Sequence, residues 1–293
     1  MVLEHIVSYK RMRESPAILL AIAFVFISFA MLFTALVYPQ GGGLFIVTLA
    51  TMPSIPLFLD ALHNKEKDYE KKGDRVKVGK ISLLGRVMAY KKRLMAYQEL
   101  VGVFGIFFIG IALSVAFWAT YLPEDMGNQL FAYQMNEIAN ISGLTTGDIS
   151  RFETIFNNNF MVMMLMLFLS IVYSIGAVFL LIWNASILGV FLSEFARSSL
   201  SNLTYMGIFA FPMALFVGIS TGLIRILLHG TFEFFSFFIA SIAGGIFSVA
   251  VERKIFKTPE FGTVFKDVLV LFAIAVASLA LAAYLETFYA ITI

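Results

Sequence analysis

Seven apolar runs divide the chain, at residues 17–38, 43–62, 100–122, 160–182, 203–228, 231–251 and 268–290. Each has the length of a helix that crosses a hydrocarbon core of about 30 Å. Polar and charged residues gather between them. The pattern predicts an all-α polytopic bundle of about seven transmembrane helices. It divides the chain into an N-terminal two-span segment (1–62), a basic loop (63–99) and a membrane domain (100–293) that includes an outer loop, 123–159. The first run opens at Pro16, which suits the first turn of a helix. It is too long for a signal peptide and no small-residue cleavage site follows, so it is expected to stay as an anchor.

One stretch does not fit a simple alternation. Residues 160–193 hold no charge. As one straight helix they would reach about 51 Å. A break is expected at Trp183-Asn184-Ala185-Ser186. The segment near 183–199 would then lie at the inner surface, with Glu194 and Arg197 in water, or re-enter the membrane beside a cavity.

Lys and Arg orient the spans. Of 21 such residues, the N-terminus carries Lys10, Arg11 and Arg13, and loop 63–99 carries eleven. Arg197, Arg253, Lys254, Lys257 and Lys266 fall on the same side if the runs alternate. Arg151 falls opposite and Arg225 lies inside a run. The excess places the N-terminus in the cytoplasm and the C-terminus outside, in a multi-pass protein of the cell membrane. Composition agrees: 60% of residues are hydrophobic and 14% charged, with no cysteine, against about 25% charged in soluble domains. A soluble enzyme, a disordered chain and a disulfide-stapled domain are excluded.

Loop 63–99 is dense in charge around Gly73. Its second half sets Ile81, Leu84, Met88, Leu94 and Met95 among Arg86, Lys91, Lys92 and Arg93. That is the pattern of a basic interfacial helix that meets anionic lipid headgroups. Nucleic-acid binding has nothing beyond charge behind it and is not expected. Loop 123–159 reads as a helix over 126–141, a glycine-containing turn and an N-cap at Asp148. It suits a lid over the bundle or a surface for a partner.

Catalytic signatures are missing. The chain has no phosphate-binding GxxxxGK[ST] and no HExxH, and its three histidines are scattered, so no metal, cofactor or enzymatic activity is expected. Gly218-Ile219-Ser220-Thr221-Gly222 matches GxSxG, but His229 lies nine residues on, half a turn round a continuous helix. The same residues spell GxxxG, a close-packing motif of membrane helices. Ser236, Ala240, Gly244 and Ser248 form a second small-residue face. Such faces serve packing within one chain or between copies in a homo-oligomer. Arg225, His229 and Glu233 surround an expected break at Gly230, with Arg225 and Glu233 as an expected ion pair. Charged groups inside a bilayer are costly and suggest function by default. Asn157, Asn184 and Glu194 are further polar groups placed where helices are expected to start or break.

Several of these pieces occur in one order: Asn157-Asn158-Asn159, Ser174-Ile175-Gly176-Ala177-Val178-Phe179, Trp183-Asn184-Ala185-Ser186-Ile187-Leu188-Gly189, His229-Gly230-Thr231-Phe232-Glu233, Ile239-Ala240 and Gly244-Gly245. Together, over residues 95–290, they resemble the stage II sporulation protein M-like membrane family, particularly its archaeal branch. The resemblance implies a multi-span protein without established catalytic residues. It marks Asn157, Asn184, His229, Gly230 and Glu233 as motif positions. In the bacterial namesake the family role is that of an integral-membrane partner and scaffold for a peptidoglycan-remodelling complex. A non-enzymatic scaffold that recruits membrane or envelope proteins is therefore the first expectation. A transporter or channel for an ion or small solute, using Arg225, His229 and Glu233, is the alternative.

Overall fold

The computed structural model describes residues 14–71, 83–142, 149–173, 176–252, 254–258 and 261–289. Described residues are helical almost throughout, with no strand among them. We number the α-helices in chain order: α1 Pro16–Val37, α2 Gly42–Lys71, α3 Leu83–Tyr121, α4 Glu124–Leu130, α5 Ala132–Ser142, α6 Ile149–Tyr173, α7 Ala177–Asn202, α8 Ala210–Glu252 and α9 Phe261–Tyr289. Seven helical segments are long and apolar enough to cross a membrane: Pro16–Val37, Gly42–Ala61, Gln98–Tyr121, Ile149–Tyr173, Ala177–Asn202, Thr204–Glu252 and Phe261–Tyr289. An apolar chain in lipid must satisfy its own backbone, and helices do so. The protein is a multi-span membrane protein.

The count of seven matches the hydropathy pattern, but the spans are not the same seven: the runs 203–228 and 231–251 are joined in one helix, α8, while Ala177–Asn202, expected as a broken segment, is long and apolar enough to be a span of its own. The interruption after the fourth span falls between Tyr173 and Ala177, not at residues 183–186. Trp183, Asn184, Ala185, Ser186 and Glu194 all lie within the unbroken helix α7. Residues 183–199 are thus neither re-entrant nor a separate surface piece. Asn184 does not open the helix, because its side-chain amide donates to the Leu180 carbonyl one turn back, at 2.8 Å. The expected break at Gly230 is also missing. α8 runs through it for 43 residues, about 64 Å, more than twice the thickness of a hydrocarbon core. The atoms nearest to a Cβ at Gly230 belong to Phe234 and Ile226 of the same helix, at 3.4 Å and beyond.

α8 is the central beam of the bundle. Its first third lies against α7, where Gly218 backs onto Ala196 and Gly222 onto Leu192 and Phe195. Further along, Phe234 and Phe238 meet the Phe108 ring of α3, at centroid separations of 4.5 and 5.5 Å. Phe58 of α2 adds to this aromatic core through Phe104 and Phe107. Gly244 then sits against α6, where a Cβ would come 2.6 Å from the Leu167 carbonyl and the Ser170 Cβ. The buried face of Ser236, Ala240, Gly244 and Ser248 is thus used within the chain. Near its end, Phe247 meets Phe261 and Phe265 of α9.

The two ends of the bundle differ. α2 continues ten residues beyond Ala61, and α3 begins fifteen residues before Gln98. These extensions make the arm end. They replace the separate interfacial helix expected in loop 63–99. The turn expected around Gly73 and the N-cap at Asp148 lie outside the described residues, as do the side chains of 62–97. α4 and α5 occupy the opposite end. They are not a loose cover: Leu130, Phe131 and Gln134 are fully buried.

Candidate functional site

Two polar constellations stand out against the apolar bundle. The first belongs to α4 and α5. Gln134 donates its side-chain amide to the Ser186 hydroxyl of α7 at 3.1 Å, and Ser186 in turn donates to the Trp183 carbonyl at 2.7 Å. Gly43, in the first turn of α2, lies directly against the Gln134 amide, which leaves no room for a Cβ. The preceding Gly42 has φ +33°, and a Cβ there would come 2.7 Å from the Leu130 carbonyl. The Gly42-Gly43 pair therefore lets the carbonyl end of α4 approach the amide end of α2, a favourable alignment of helix dipoles. Ser186 lies eleven residues before Arg197 on α7, about 16 Å along the helix axis. α5 thus reaches well into the bundle and acts as a plug.

Arg197 fixes the rim above it. Its guanidinium donates to the Ala119 carbonyl, and to the Leu122 carbonyl at 3.0 Å, at the last turn of α3. These are carbonyls that a helix end leaves without partners, and a cation there also suits the dipole. Arg197 is therefore at the plug end, remote from the arm. This reverses its expected grouping with the basic loop. Glu194, one turn earlier, is exposed.

The second constellation is ionisable. It forms where α6 begins, α9 ends and α8 is half-way along. α8 contributes His229 and Glu233, α6 contributes Arg151 and α9 contributes Glu286, all half-buried. The Arg151 charge acts on both His229 and Glu286, and Glu286 acts on Glu233. Close by, the Ser278 hydroxyl of α9 donates to the Phe232 carbonyl of α8 at 2.8 Å and fixes the two helices together. Thr287, adjacent to Glu286, is buried, and its hydroxyl has no hydrogen-bond partner among the described residues.

Not all the expected site residues meet here. Arg225 lies over the Phe195 ring of α7, 5.1 Å from its centroid, a cation–π contact. It is eight residues from Glu233 on one continuous helix, about 12 Å of rise, so the hairpin ion pair expected from the sequence does not form. Asn157 is exposed and sits two turns inside α6, which starts at Ile149 rather than at 160. Ser220 and His229 face apart on unbroken α8, and no catalytic pair arises from them. Among the described residues no group of three or more His, Cys, Asp and Glu side chains is placed to hold a metal ion. Arg151 and Glu286 were missed as site members. The available signal was Glu286 itself, a carboxylate inside the apolar run 268–290.

No curated protein matches the chain. No solved structure matches it either. A family profile described as Stage II sporulation protein M does, over residues 103–291. That interval takes in α3 from its membrane portion onward, the plug, and both polar constellations, and it leaves out the N-terminal two spans and most of the arm. Since it covers more than half of the sequence, the chain belongs to the stage II sporulation protein M family.

Proposed function

We propose that the protein is a non-enzymatic membrane scaffold that engages a partner through its basic arm. The observation that carries this reading is the continuation of α2 and α3 as helices beyond their apolar spans. The first fifteen residues of α3 hold Arg86, Lys91, Lys92 and Arg93 and no acid. The first turn likewise lacks any acidic residue to balance the positive helix end. Segment 63–99 as a whole carries eleven basic and five acidic residues. An acidic surface on a neighbouring membrane protein would complement it, and anionic headgroups would favour it by about 1 kcal/mol per basic residue. The charge asymmetry supports placing the arm in the cytoplasm of a cell-membrane protein.

The scaffold's name-giving relatives are sporulation proteins, and partner recruitment fits that setting. The test is co-purification from native membranes. The expected result is a specific protein retained at low salt and lost when Arg86, Lys91, Lys92 and Arg93 are changed together to Gln.

A second reading, movement of a proton or small cation across the bilayer, is favoured by the His229–Glu233–Glu286–Arg151 constellation. Flux measured in proteoliposomes with Glu233→Gln tests it. Wild-type vesicles no leakier than empty ones would refute it.

A further inference from the structure

We propose that Arg225, held over Phe195, binds the phosphate of an anionic lipid in the leaflet at the plug end of the bundle. The site is independent of the arm and of both functional readings above.

Arg225 interrupts an otherwise uncharged run that extends from Ser198 to Leu228. Its guanidinium lies 5.1 Å from the centroid of the Phe195 ring on α7. Gly222, one turn before Arg225, brings the two helices together: a Cβ there would come 2.7 Å from Leu192 and 3.1 Å from Phe195. The Arg225 side chain therefore runs back toward the start of α8, the direction in which helical side chains lean. Phe195 is two residues from Arg197, about 3 Å along the axis. Arg197 in turn bonds to the carbonyls of the last turn of α3. The Arg225 charge is thus held near the rim at the plug end, where a long basic side chain reaches the headgroups.

The chain supplies no anion for it. Among the described residues Arg225 makes no hydrogen bond and no ion pair, and Glu194, exposed and next to Phe195, is not paired with it. A guanidinium has five N–H donors, and a phenyl ring offers them no acceptor oxygen. A phosphate does, and it matches the guanidinium fork with two parallel hydrogen bonds. Thr221, one turn outward, has already given its hydroxyl hydrogen to the Val217 carbonyl, so Arg225 is the donor. What lies inward favours a lipid over a free anion. Leu228 and Phe232 are exposed, and both fall within about 60° of Arg225 around the helix. They continue the flank toward the bilayer centre by about 10 Å. Acyl chains laid along them keep the phosphate at Arg225.

Native mass spectrometry of the detergent-purified full chain tests the site. The arm offers a second place for anionic lipid, so the parent protein and every variant carry Arg86, Lys91, Lys92 and Arg93 changed to Gln. The parent is expected to retain one phosphatidylglycerol tightly. Arg225→Gln should weaken that lipid about tenfold or more, because charge-assisted hydrogen bonds are lost. Arg225→Lys, a point charge without the fork, should weaken it several-fold. Phe195→Leu keeps the charge and removes the ring, and a loss of about two- to tenfold is expected. Phosphatidylcholine, whose phosphate carries its own cation, should be held more weakly than phosphatidylglycerol. Equal retention by the parent and Arg225→Gln, at matching melting temperatures, would overturn the proposal. Should Arg225→Gln fail to fold, unchanged retention by Phe195→Leu would overturn it instead. Equal retention of the two lipids would do the same. Displacement of the lipid by millimolar inorganic phosphate would assign the site to a free anion and likewise overturn it.

Discussion

The side-chain amide of Gln134 donates to the hydroxyl of Ser186 at 3.1 Å, across 52 residues of sequence. It pins α5 inside the bundle, with Gly43 pressed against the same amide. Gly43→Leu must therefore displace the plug. Overpacking of this kind costs about 1–3 kcal/mol, a fall in melting temperature. The chain has no cysteine, so Gln134→Cys can report the move. It should resist a membrane-impermeant maleimide alone and react once Gly43→Leu is added.

Arg197 gives a second expectation. Its guanidinium serves two carbonyls at the end of α3. Hydrogen bonds to charged groups are worth about 1.5–3 kcal/mol each. Arg197→Ala should lower the melting temperature in detergent clearly, and Arg197→Lys should recover part of the loss. The position also tests topology. Ser198→Cys, at an exposed site, should be labelled from the same side of the membrane as a cysteine at exposed Gln129, and opposite a cysteine in segment 72–82.

Gly230 separates a continuous helix from a hinged one. A Cβ there makes only ordinary contacts, and alanine favours a helix interior over glycine by about 0.5–1 kcal/mol. Gly230→Ala should fold with an unchanged or slightly higher melting temperature. A marked loss of stability would mean that α8 bends there.

Gly244 should behave in the opposite way. Its contact is with the Leu167 carbonyl and Ser170 of α6, backbone and near-backbone atoms that cannot swing aside. Gly244→Leu should abolish stable folding, seen as loss of a monodisperse peak in size-exclusion chromatography. Were the stripe an interface between copies, the variant would instead persist as a folded monomer.

Much of this fold was legible because spans in lipid are chosen largely by hydropathy, but the runs 203–228 and 231–251 form one helix, α8, and Ala177–Asn202 makes up the count of seven. Boundaries were less legible. Gly230 and Asn184 look like breakers in water, but in α8 the atoms nearest the glycine belong to its own helix, and the Asn184 amide satisfies itself on the Leu180 carbonyl. The real turn, between Tyr173 and Ala177, is marked only by Gly176, which lies against the Leu169 carbonyl. The site was half legible for a related reason. His229 and Glu233 are neighbours on one helix and can be read together. Arg151 and Glu286 join them only through the packing of α6 and α9 on α8, a relation between distant segments. The burial of Gln134 was likewise hidden, since an isolated amphipathic loop helix reads as surface.

The scaffold reading is tested most directly by its arm. The full chain and a variant with Arg86, Lys91, Lys92 and Arg93 changed to Gln would be expressed at equal levels and purified from native membranes in mild detergent. Bound proteins would be quantified by mass spectrometry. The expected result is at least one membrane protein with an acidic surface, enriched with the wild type, lost in the variant and lost at high salt, while both chains melt at the same temperature. Recovery of the wild type alone, or of the same proteins with both chains, would contradict it.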